Sequence, residues 1–223
     1  MSELLPLFAW LSPSFPVGAF AYSHGLEQAV ETGDVHDPST LISWLEDLME
    51  HGAIRTDLIL ASCAARALSA RDMVRFEEVA ELALALSPSR ERRLETTQQG
   101  RSYMETLRAA WPSPILDEVF AASTEIAYPI AFGASVVAHR LPLRASLAAF
   151  ALQFSANLVS AVVRLGMVGQ TDGQKVIASL AKAARRQAAF AARASLDDLG
   201  AAAFRSDIMS LRHETQYSRL FRS

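Results

Sequence analysis

Asp37-Pro38-Ser39-Thr40-Leu41-Ile42-Ser43-Trp44-Leu45-Glu46-Asp47-Leu48 opens with a helix start and continues as a helix face. The aspartate can accept a hydrogen bond from a free backbone N–H of the first turn. Proline just after it loses nothing, because the N–H it lacks would have no partner there. Leu41, Trp44, Leu45 and Leu48 then return at helical spacing. The device recurs at Ser87-Pro88, ahead of 90–107, and at Ser113-Pro114, ahead of Ile115, Leu116 and Val119. Thr171 and Gln174 read as a capping box before Val176, Ile177, Leu180 and Ala184. Tyr128-Pro129 and Leu141-Pro142 divide the apolar centre into separate helices, since proline removes a donor and clashes with the preceding turn. Alanine is the commonest residue, and the Val/Ile/Thr alternation of strands is nearly absent. The expectation is one all-α domain over 1–223 with about eight to ten helices and short connections.

Composition narrows the function. The chain has 223 residues, 51% of them apolar, enough for one sizeable core. A net charge of −3 offers no basic field for nucleic acid or an anionic membrane. The single cysteine, Cys63, lies in an apolar helical run and reads as a small core residue; one cysteine allows no internal disulfide and fits a reducing cytoplasm. The start, Met1-Ser2-Glu3-Leu4-Leu5, has no basic stretch of the secretory kind. Residues 145–163 carry no charge and approach the ~20 needed to span a bilayer, but Gln153, Ser155, Asn157 and Ser160 interrupt them. A central helix of a soluble cytoplasmic protein is the expectation.

Chemistry leaves only weak traces. His24, His36, His51, His139 and His213 never fall at the i,i+3 or i,i+4 spacing that aims two imidazoles at one metal. His213-Glu214-Thr215-Gln216-Tyr217 begins like a zinc-protease motif but ends in tyrosine, so no metal site and no cofactor is expected. Ala21-Tyr22-Ser23-His24-Gly25 resembles a nucleophile elbow only loosely, with Ala21 where glycine is required. The other reading places Tyr22 and Ser23 in a first helical turn or across a helix junction. The 166–174 stretch is glycine-rich and opens a helix, yet it follows a helix and lacks the Gly-Lys-Ser/Thr ending of a phosphate loop. Gly166, Gly169 and Gly173 then let the backbone turn sharply between two central helices, leaving Gln170, Asp172 and Gln174 for a partner. Gly100, beside Arg101 within a helix, is expected to serve close helix packing, since it costs up to ~1 kcal/mol against alanine.

The terminal His213-Glu214-Thr215-Gln216-Tyr217-Ser218-Arg219-Leu220-Phe221-Arg222-Ser223 mixes aromatic, leucine and arginine residues where chain ends are usually small and polar. Such residues dominate interface energies, so the tail is either a docking peptide or a last turn packed on its own domain.

Four stretches, 11–27, 99–102, 169–174 and 213–223, resemble in order and spacing the UreF family of urease accessory proteins. In the first, the resemblance falls on Pro16, Gly18, Phe20, Tyr22, Ser23, Gly25 and Glu27. Ala19, Ala21 and His24 depart from the family's usual glycine, serine and glutamine, and Met167-Val168 from its usual Pro-Leu. The resemblance implies an all-helical, non-enzymatic protein, commonly homodimeric. It would bind the accessory protein UreD (also called UreH) and recruit the GTPase UreG, and the assembly would deliver nickel to apo-urease. It assigns partner docking to the tail 212–223, with His213, Glu214, Tyr217, Arg219, Leu220, Phe221 and Arg222 as contacts, and to Gly169, Gln170, Asp172, Gly173 and Gln174. Two other readings remain: a small hydrolase using Ser23 and His24, or a nickel carrier using His24, His51 or His213.

Overall fold

A computed structural model describes residues 4–122, 125–200 and 203–222. The acidic start, Met1 to Glu3, and the final Ser223 lie outside the described residues. The helices are α1 (Leu5–Trp10), α2 (Leu26–Glu31), α3 (Pro38–Glu50), α4 (Ala53–Ser69), α5 (Met73–Ala85) and α6 (Arg90–Ala110). They continue as α7 (Pro114–Ala122), α8 (Tyr128–Ala138), α9 (Leu143–Arg164), α10 (Gln170–Ala191) and α11 (Phe204–His213). Two 3₁₀ turns, Ala19–Ala21 and Leu196–Asp198, join them, and no strand occurs among the described residues. The protein is all-α.

The opening stretch behaves as read. Asp37 caps α3 by accepting from Thr40 N at 2.7 Å, and the Thr40 hydroxyl accepts in return from Asp37 N at 3.1 Å. Leu41, Trp44, Leu45 and Leu48 all face the core. Two other starts differ. The cap of α6 is Ser89, whose Oγ accepts from Arg92 N at 3.2 Å and meets Ser210 Oγ at 3.0 Å. That contact with α11 holds the cap two residues beyond Ser87. At α10 the N-cap is Gly169, with no side-chain cap, so Thr171 already lies within the first turn and the Thr171–Gln174 box does not form. Space explains this start: a Cβ on Gly173 would come within 3.1 Å of Val159 and 3.2 Å of Val163, so α10 lies hard against α9 from its first turn.

The centre is α8, whose residues from Pro129 to Val136 are all buried. It lies against α4, where a Cβ on Gly133 would meet Ala61 O at 2.4 Å, and against α6. Gly100 performs the same service from α6: its Cβ would sit 2.1 Å from Ile126 O. The close packing expected of that glycine is present. An aromatic cluster fills the junction, with Tyr103 edge-on to Tyr128 at 5.3 Å and Phe132 against Phe150 at 4.6 Å. Each such ring contributes roughly 1.5–3 kcal/mol by leaving water. The hairpin α9–α10 packs on this centre and on α3. By length and composition α9 could cross a membrane; half of its apolar window is buried, against α10, α4 and α8.

Candidate functional site

The loop from Leu11 to Gly25 is a ridge with a groove on each side. Its shape depends on two left-handed glycines. Gly18, at φ 73°, caps the 3₁₀ turn, and Gly25, at φ 74°, caps α2. A Cβ on Gly25 would also lie 2.5 Å from Ser210 N, so α11 can cross there only over glycine. Phe20 stands on the crest and is 69% exposed.

On one side the groove has a volume of about 430 Å³ and is walled by α9 and the start of α10. Its lining is uncharged and mixed, with Ser12, Ser14, Gln153, Asn157, Gln170 and Gln174 set among apolar walls from Phe15, Val17, Val163 and Ile177, beside Tyr128 and Gly173. Pro16, Gly18 and Phe20 line both sides. The second groove is wider and shallower, about 710 Å³, and brings Tyr22, Arg101, Arg164, Leu220 and Arg222 together. Asp172 lines neither groove; it bonds Lys175 Nζ at 2.9 Å. Arg101 pairs with Glu105 at 2.8 Å.

Beneath the ridge lies a buried polar layer supplied by α6. Its inner stripe reads Arg92, Glu95, Gln99, Gly100 and Tyr103, polar for its first half. His24 Nε2 lies 2.7 Å from Glu95 and 2.8 Å from Arg92, and Arg92 also pairs with Glu95. Gln99 donates to Glu95 at 2.8 Å and the Tyr22 hydroxyl to Gln98 at 2.6 Å. Burial, then the Arg92 charge, push the His24 imidazole toward its neutral form. Burial opposes the charge on Glu95, but Arg92 and His24 outweigh it and hold the carboxyl well below the usual range.

The tail closes over this layer. His213 is wholly buried between two carboxylates, with Nε2 3.1 Å from Glu27 and Nδ1 3.0 Å from Glu91. Glu27 also accepts from Leu220 N at 2.7 Å and Phe221 N at 3.1 Å. Arg219 pairs with Glu91, Glu214 accepts from Arg90 N at 3.1 Å, and Arg222 N donates to Ala21 O at 2.8 Å. The Phe221 ring is 4% exposed, under the Arg164 guanidinium at 4.4 Å. Tyr217 and Leu220 point to solvent, Tyr217 completely.

The four stretches therefore meet at one place, and they divide the work. Gly18, Gly25, Gly100 and Gly173 give close approach or a turn. Glu27, His213, Arg219 and Phe221 tie the tail down. Phe20, Gln170, Gln174, Tyr217 and Leu220 face outward. Ser23 is fully buried, and its Oγ accepts from Glu27 N at 3.3 Å, so Tyr22 and Ser23 belong to a helix junction and not to a first turn. A hydroxyl in that position meets no substrate. Both ring nitrogens of His213 face carboxylates, Glu27 and Glu91, and neither opens to solvent. Among the described residues no group of three or more His, Cys, Asp and Glu side chains is arranged to hold one.

Sequence reasoning missed Glu91, Arg92, Glu95 and Gln98. The first turns of α6, Arg-Glu-Arg-Arg-Leu-Glu, look like a solvated face, and nothing in their spacing marks the buried members. The available signal was indirect: a buried Tyr103 and Gly100 fix the inner face, and counting back by turns reaches Gln99, Glu95 and Arg92.

Comparison with known proteins gives the family. The sequence model of the UreF family matches residues 35–181. A urease accessory protein UreF of Xanthobacter autotrophicus is 55% identical over 222 residues, 99% of this chain and 91% of its own. Another, from Methylorubrum populi, is 53% identical over the full length of both chains. A third, from Rhodopseudomonas palustris, is 52% identical over the whole of this chain and 94% of its own. These similarities include the ridge and the tail, which the family match leaves out.

Proposed function

This chain belongs to the UreF family of urease accessory proteins, and from that premise we propose that it is a non-catalytic cytoplasmic scaffold for urease maturation. Its tail face binds UreD/UreH, the resulting complex recruits the GTPase UreG, and the assembly acts on apo-urease during GTP-dependent nickel insertion. The body works as a homodimer. Nickel is cargo of the assembly in this reading, and the chain holds no resident cofactor.

The observation that carries the reading is the meeting of the tail with the ridge and grooves. A terminus tied to its own body by two carboxylates, with Tyr217 and Leu220 left outside, is an ordered platform rather than a loose end. Ordering it in advance spares a partner the entropy of fixing it, which otherwise weakens binding. The exposed aromatic and leucine are of the types that anchor interfaces.

The test is light scattering after size exclusion of this protein mixed with a UreD/UreH homologue, full length and truncated after Leu211. A stable complex formed only by the full-length chain supports the reading. Equal binding by both forms would remove the tail from the interface, and binding by neither would contradict the scaffold role.

A further inference from the structure

The chain is charge-divided in a way the tail face does not use. Residues 126–196 hold eight lysines and arginines and a single acid, Asp172, a net of +7. The whole chain is −3, so everything else sums to −10. This division is spatial as well as sequential. Most of the basic segment forms α9 and α10, consecutive helices packed along each other with α10's first turn against α9's last. They are therefore antiparallel, and the end of α10 lies beside the beginning of α9.

Arg140, Arg144 and Arg193 lie at that end and Lys182 and Arg185 about two turns before it on α10, all exposed, with Asp197 and Asp198 the first acids beyond them. Lys175 is neutralised by Asp172 and Arg186 by Glu50, but none of these five makes an ion pair within 4 Å among the described residues. Arg144 sits in the first turn of α9, where the positive end of the helix dipole disfavours a cation. Arg140 holds a left-handed backbone at φ 54°, a conformation disfavoured for a side chain of its kind. Neither placement stabilises the fold. Ala148, Ala149 and Leu152 of α9 are partly buried against the core, so the exposed part of this end is carried mainly by its charged side chains.

We propose that this basic end of the α9–α10 hairpin is a docking surface for an acidic face of a partner protein, separate from the tail face. The inference rests on the scaffold reading and adds to it the charge of one partner surface. Chemistry separates a protein from the other polyanions. A nucleic acid or a lipid sheet extends past the patch and meets the rest of the chain, which is net acidic, whereas an acidic protein face of similar size does not. The exposed aromatic at this end, Phe190, already carries the Arg55 guanidinium over its ring at 4.5 Å, so that face is taken and not free to stack on a base.

The experiment uses the full chain and, as first probe, poly-L-glutamate. At pH 7.5 the wild type should bind it at 50 mM NaCl and release it by 300 mM, as exposed pairs are screened. The charge reversal R144E/K182E/R185E should weaken binding more than tenfold while the circular dichroism spectrum and Tm stay unchanged. K182A/R185A, which cannot create repulsion, should weaken it less, in the same direction. No binding by the wild type, or equal binding by the reversal, overturns the proposal; so does tighter binding of duplex DNA or anionic vesicles than of poly-L-glutamate. UreD/UreH and UreG homologues then serve as second probes. If they bind the wild type and the reversal alike, the docking surface fails while the scaffold role stands. If neither binds the wild type, it is the scaffold reading that fails.

Discussion

Glu27 does more for the site than any other single residue. Its carboxylate receives two consecutive tail N–H groups and faces His213, so one side chain from α2 holds both the end of α11 and the last turn of the chain. In Glu27→Gln one acceptor oxygen becomes an NH₂ that faces donors. The expected cost is about 2 kcal/mol of tail stability, from the loss of charge-assisted bonds with part of the burial retained. Amide exchange across 214–222 should then quicken by roughly 30-fold, with the helical core unaffected. His24 gives a different signature. Burial, then Arg92, lower its proton affinity in the fold, so the unfolded chain binds more protons as pH falls below about 6.5. The contribution is present above that value and is lost toward lower pH. His24→Gln should therefore flatten the decline in unfolding free energy between pH 7 and 5.5, as measured by urea titration at several pH values. Neither role could be read from sequence. Glu27 and His24 appeared there as members of a motif, and their partners on α6 were hidden among ordinary surface-type charges.

Among the elements, α6 connects everything. One half of its inner stripe is polar and meets the ridge, and the other half, from Gly100 to Leu107, is packed in the core. Gly100→Ala forces a methyl onto the backbone at Ile126, and backbone cannot yield as a side chain can. The expected loss is at least 1–3 kcal/mol, the usual cost of overpacking, seen as a lower urea midpoint at unchanged slope. Arg92→Ala would leave Glu95 as a buried charge with less compensation, at about 3–5 kcal/mol. Helix starts were legible where the cap is local: Asp37, Pro114 and Pro129 all mark true beginnings. They were misread where tertiary contact decides. Ser89 displaces Ser87 because α11 brings Ser210 to it, and Thr171 loses its box because α9 draws α10 close. Those are contacts between residues far apart in the chain, which no local pattern carries.

At the scale of the whole molecule, the sequence left the tail open between a docking peptide and a packed last turn, and the structure packs part of it and leaves part exposed. His213 and Phe221 are packed on the body, while Tyr217 and Leu220 remain outside. Alternation of these roles along one irregular segment follows no helix or strand period, which is why it could not be read in advance. It also separates two kinds of variant. Phe221→Ala should loosen the tail and lower partner affinity indirectly. Tyr217→Ala and Leu220→Ala should leave the tail's amide protection intact and lower affinity directly. The most direct test of the scaffold account is a calorimetric titration of the Tyr217→Ala/Leu220→Ala double variant against a UreD/UreH homologue, beside the wild type. The account expects a loss of at least about 2 kcal/mol, roughly 30-fold in Kd, with the fold unchanged. A loss smaller than twofold would contradict it, and would place the partner on some other face of the protein.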